Sequence, residues 1–200
     1  IMASYKEISK NFTFASTFAG GDNLVKIASA TADGDSVINF TSGITSTYNV
    51  YYVVYNAIHP AAGSKLTVQF TINGSDFNLA LATAQCNGSN TEGGTASNNN
   101  ADASEDQNDG TAYQSIAYAD TIETNAESCC NGVIWLYGLS NTTFHKHFTA
   151  RSVAKDDAPG GAQTWTSGEI ATASAVTGIS FKMSSGNIDS GTFCLYGLGK

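Results

Sequence analysis

Period-two alternation is the feature that most narrows what this chain can fold into. KLTVQFTI at 65–72 sets Leu66, Val68, Phe70 and Ile72 on one face and Lys65, Thr67, Gln69 and Thr71 on the other. That is the pattern of a half-buried strand. The same period runs through LVKIASA (24–30), SVINF (36–40), YNVYYVVYNAI (48–58), FNLALAT (77–83), YQSIAYA (113–119), TFHKHFTARSV (143–153) and AVTGISFKM (175–183). GVIWLYGL (132–139) and GTFCLYGL (191–198) share the pattern G-x-x-x-L-Y-G-L, with an aromatic-Gly end that another segment can approach closely. No stretch carries a capped helical period. About ten strands at regular spacing predict an all-β sandwich spanning 23–200, with a polar N-terminal arm at 1–22.

Turn chemistry divides the strands. Asp33-Gly34 reads as a hairpin between the first two strands, and Asn73-Gly74 as a second, joining 65–72 to 77–83. From Gln85 the period vanishes, and QCNGSNTEGGTASNNNADASEDQNDG reads as part of a long acidic surface loop, 85–112.

Composition bears on function chiefly through charge. The net charge is −8, and only 13% of residues are charged, against about 25% in an average domain. No basic residue lies between Lys65 and Lys146, while nine acids do, from Asp76 to Glu127. A nucleic-acid binder needs clustered Lys and Arg and is excluded as an expectation. No signal-like segment and no membrane-length apolar run is visible. Cys86, Cys129, Cys130 and Cys194 lack zinc-site spacing and read as reduced thiols, with a bridge from Cys86 to Cys129 or Cys130 as the alternative.

Chemistry-bearing motifs are few. His145 and His147 share a strand face, a spacing that can serve a metal, but no third ligand follows at fixed spacing. With Phe144 and Phe148 on the opposite face, the histidine face is expected to point outward. Asp102, Asp106 and Asp109 are weak calcium candidates. Read as an EF-hand loop, Asp106, Asn108 and Gly110 put the glycine one position early. No nucleophile–base motif, phosphate loop or H-E-x-x-H occurs, so neither catalysis nor a cofactor is expected. Tyr48, Tyr51, Tyr52 and Tyr55 cover both faces of one strand. They are candidates for an interface or for stacking on a sugar, with core packing as the plain alternative. A strand apolar on both faces needs a second cover, and another copy of the chain is the nearest one.

FTSGITSTYNVYYVVYNAIHPA, LYGLSNTTFHKHFTARS and FKMSSGNIDSGTFCLYGL together resemble a recurrent family of virion structural proteins from tailed phages of marine bacteria, cyanophages above all. The family's similar patterns are F-T-S-G-I-x-S-T-Y, then I-H-P-A, then S-x-T-T-F-x-K-H-F, then S-S-G-N-I-x-x-G-T-x-x-L-Y-G. The likeness covers about 24–200 and departs at the 85–112 loop and at Cys129-Cys130. It implies a jelly-roll-like sandwich on a phage particle, decorating the capsid or built into a tail or head fibre, with no catalytic residues to carry over. The expected location is the virion, assembled in the host cytoplasm. Expected partners are other capsid or tail proteins and further copies of the chain, as a homo-oligomer of three. The alternative function is an adhesin that binds a host-surface carbohydrate.

Overall fold

A computed structural model describes residues 24–91, 93–117, 122–155 and 160–199. The expected arm, 1–22, lies outside the described residues. These form twelve strands and no helix: β1 (Leu24–Asp35), β2 (Ile38–Phe40), β3 (Val50–Pro60), β4 (Leu66–Thr71), β5 (Leu81–Thr91), β6 (Ala96–Ala101), β7 (Gln114–Ser115), β8 (Cys130–Tyr137), β9 (Lys146–Lys155), β10 (Gly160–Ile170), β11 (Gly178–Met183) and β12 (Ile188–Leu198). Two antiparallel sheets result, an eight-stranded one in the order β1-β12-β3-β8-β9-β10-β5-β6 and a four-stranded one in the order β2-β11-β4-β7. The fold is an all-β sandwich.

The strands β1 to β5 alternate between the sheets, which overturns both expected hairpins. β1 pairs with β12 and β2 with β11; Asp33-Gly34 lies inside β1, whose pairing with β12 runs on to Asp35, and the chain crosses to the other sheet after it. Likewise β4 pairs with β11 and β7, while β5 pairs with β10 and β6. At Asn73-Gly74 the Asn73 side-chain oxygen accepts from the backbone N–H of Ser75 (3.0 Å) and Asp76 (2.9 Å), and Gly74 takes φ +82. The turn is real, but it leads across the core. Alternation says that a strand has a buried face; two such strands can share a core across the sandwich as readily as side by side.

The twin motifs lie on the two strands that flank β3. Tyr52 has Trp135 of β8 opposite it on one side and Tyr196 of β12 on the other. Leu136 and Leu195 go into the core with Tyr51, Val53 and Tyr55 of β3. From the small sheet come Leu66, Val68, Phe70, Ile179 and Phe181. Phe181–Phe193 (centroids 5.0 Å apart) and Phe70–Phe148 (5.4 Å) join the layers. The motif glycines admit tyrosine rings: a Cβ at Gly132 would lie 2.6 Å from the Tyr55 hydroxyl, and one at Gly197 would overlap the Tyr48 ring.

β4 is buried on both faces. Thr67, Gln69 and Thr71, expected to face solvent, are covered, and Ile72 is exposed. The 85–112 segment supplies that cover and is not a free surface loop. It continues β5, returns as β6, then folds back over the small sheet. The Gln69 amide lies within hydrogen-bonding reach of the carbonyls of Leu79, Thr111 and Ala112 (2.9–3.1 Å). Tyr113 is 2.8 Å from Ser180 through its hydroxyl, under the Lys182 ammonium at 4.1 Å. β5 escapes a hydrophobic reading because its inward residues Gln85 and Asn87 are polar. They are paired with Thr166 and Asp102, which offsets the cost of burying them.

Candidate functional site

The outer face of the eight-stranded sheet carries a band of partly uncovered aromatic side chains. The register sets Tyr196, Tyr52 and Trp135 side by side across β12, β3 and β8. The Tyr52 and Trp135 rings stack at 4.1 Å, with Tyr196 at 6.3 Å. Val50, Val54 and Val133 extend this stripe, and Tyr137 stands 40% exposed at its end. Across β9, Trp165 of β10 is 51% exposed, with the Arg151 guanidinium 4.7 Å from its ring.

Only one of the four candidate tyrosines points outward. Tyr51 is buried and donates to the Thr45 carbonyl at 2.7 Å. Tyr55 is buried with its hydroxyl 2.6 Å from Ser152 Oγ. Because Ser152 donates to the Ile116 carbonyl, Tyr55 is the donor of that pair. Burial pushes the Tyr55 phenol well above its ordinary range. Tyr48 packs edge-on against Tyr51, 5.8 Å away, above Gly197. Tyr52 is the outward residue, and its neighbours Trp135 and Tyr196 did not figure among the candidates. The signal that could have found them is the pair of L-Y-G motifs, once both are placed beside β3.

Both histidines are exposed, as expected. His147 points outward from β9, and His145, just before the strand, contacts through Nδ1 the Glu169 that is paired with His147 in the ladder. Phe144 is 69% exposed, a departure from the inward position expected of it. Between them Lys146 is fully buried and donates to the carbonyls of Phe144 (2.8 Å) and Thr172 (2.9 Å). Burial lowers its pKa. Lys146→Met removes both bonds and leaves two carbonyls unmet. We expect a loss of about 2 kcal/mol in urea unfolding; an unchanged midpoint would show that the ammonium does not clamp these strands.

The acidic candidates are used one at a time. Asp102 accepts from Asn87 (2.8 Å) and Ser104, and the Ser104 bond is the main cause holding its carboxyl below the usual range. Asp106 caps the Gln85 N–H at 2.7 Å, and Asp109 sits in the left-handed region at φ +54. Among the described residues no three His, Cys, Asp or Glu side chains are grouped to hold a metal ion. All four cysteines are free, with no bridge to Cys86. A cleft of about 480 Å³ at the end of β3 is lined in part by His59, Cys129 and Asp189. There His59 Nδ1 lies 3.3 Å from Asp189, while Cys129 takes its hydrogen bond from Asn131.

Comparison with family models, curated proteins and solved structures finds no match for the chain.

Proposed function

We propose that this chain is a non-enzymatic structural protein of a phage particle, decorating the capsid or forming part of a fibre, and that it assembles with copies of itself. The observation that carries the reading is the Tyr196–Tyr52–Trp135 stripe. Three strands at about 4.8 Å spacing, over three same-face rows about 6.7 Å apart, offer on the order of 300 Å². Two such faces give about 600 Å², so the stripe is the centre of an interface that needs roughly 1,000 Å² in all. The segments that resemble virion proteins support this reading through the packing roles they hold here. Thr45 of FTSGITSTY anchors Tyr51, and Asn187 of SSGNI donates to the Gly34 carbonyl at 2.8 Å.

The sandwich is, on this reading, a jelly roll with two inserted hairpins. Setting β5–β6 and β9–β10 aside leaves the orders β1-β12-β3-β8 and β2-β11-β4-β7. These are four strands facing four, consistent with two Greek keys. Both insertions extend one edge of the large sheet.

A three-fold assembly predicts about three times the 20.8 kDa chain mass in sedimentation equilibrium. The double variant Tyr52→Ser/Trp135→Ser is expected to sediment as a monomer with its fold intact. A parent chain that stays at one chain mass across the micromolar range argues against self-assembly through this face.

A further inference from the structure

The outer face holds a second feature, separate from the aromatic stripe. A groove of about 550 Å³ runs over β9, β10 and β5. Its lining includes Ala84, Thr149 and Ser167, which the pairing register places in one row with Trp135. His147 borders it on one side. Gln107 and Asn108 border it on the other, on a segment whose backbone runs beside β5 (Thr83 N–H to Gln107 carbonyl, 3.0 Å). One residue pair further along the strands stand Trp165 and Arg151, the indole half exposed beside the guanidinium.

Arg151 stands apart from the acid that dominates the chain. The molecule carries −8 overall, yet β8, β9 and β10 bear one carboxylate, Glu169, which His145 engages. Lys155 is paired with Glu127 at 3.1 Å, and Asp106 and Asp109 flank the far border beside Gln107 and Asn108, so Arg151 is the cation on these strands left for a ligand. A ligand that complements this surface needs a flat C–H face for an indole, hydroxyls for Thr149, Ser167 and the two amides, and a sparse negative charge for Arg151. Nucleic acid fits poorly, because a phosphate on every residue calls for several cations along the path. We infer that the groove binds a short acidic oligosaccharide, with Trp165 stacked on a sugar ring and Arg151 paired to a carboxylate. The site lies beyond the stripe proposed for assembly, so either can fail without the other.

Titration calorimetry of the full chain with a trisaccharide of two galactoses and one terminal glucuronic acid tests it. Saturable binding is expected, weakened about tenfold or more by Trp165→Ala and by Arg151→Gln, and by Ser167→Trp, which fills the groove. Raising ionic strength from roughly 0.05 to roughly 0.5 M is expected to weaken it several-fold, as screening dictates. These are exposed positions, and an unchanged melting curve shows that each variant is folded. Equal affinity for a neutral galactose trimer, no binding of either sugar, binding that survives Trp165→Ala and Ser167→Trp, or tighter binding of a thymidine oligonucleotide each overturns the inference.

Discussion

Gly132→Ala is expected to cost about 3 kcal/mol or more of folding stability, though it adds a single methyl group. A Cβ at this position would overlap the Arg151 carbonyl and lie 2.6 Å from both Cε2 and the hydroxyl of Tyr55. Neither neighbour can retreat cheaply. Arg151 belongs to β9, which is laddered to β8 and β10 on its two sides. Tyr55 is buried, and its hydroxyl is tied to Ser152. The entropy gained by removing a glycine from the unfolded chain, at most about 1 kcal/mol, does not offset this. Gly161→Ala is the control, because a Cβ there meets nothing within 4 Å. Urea unfolding should separate the two variants sharply. Equal midpoints would mean that Tyr55 does not lie over β8 as described.

A second large effect appears in alkali. Cys130 is buried, and burial pushes its thiol from 9.0 up to about 12. Above pH 9 the unfolded chain gives up this proton while the folded chain keeps it. The unfolded state then binds fewer protons, so stability falls as pH rises. The fall amounts to about 2 kcal/mol by pH 10.5 and about 4 kcal/mol by pH 12. Tyr55, raised by the same cause, adds to the decline above pH 10. Lys146 has the opposite sign, since its lowered pKa makes the unfolded chain the better proton binder below pH 10.5. Comparing Cys130→Ala with the parent removes the terms the two share. The variant should lose about 2 kcal/mol less between pH 8 and pH 10.5 in urea titrations. Parallel pH profiles would place the Cys130 thiol in contact with water.

What the sequence disclosed and what it hid follow one physical rule. Strand identity was legible wherever the buried residues are apolar, as in β3, β4 and β12, where alternation reports burial directly. It failed at β6 and along β5 beyond the strand expected at 77–83, since burial in β5 falls on Gln85 and Asn87 and hydrogen bonds there do the work that hydrophobicity does elsewhere. Pairing was not legible, because Asn-Gly fixes a local reversal and leaves the sheet of the next strand open, while Asp33-Gly34 lies inside β1 and reverses nothing. The split of β3 into a Tyr51–Val53–Tyr55 face and a Val50–Tyr52–Val54 face could be read from the chain alone. Which of the two faces the core depends on the partners β8 and β12, far away in sequence. The groove was hidden for the same reason: Thr149, Ser167, Ala84 and Asn108 come from four separate segments, and none of them forms a motif with its own neighbours.

The place of β12 also sets a schedule for folding. This strand lies between β1 and β3, hydrogen-bonded to both, so the first and third strands made have no direct contact in the large sheet. During synthesis a strand-wide slot stays open between them, flanked by two unpaired edges, until the 188–198 segment emerges. The large sheet is therefore closed from the end of the chain backwards. Through that interval β1 and β3 offer their edges to any extended segment nearby, including the same strands of a neighbouring nascent copy.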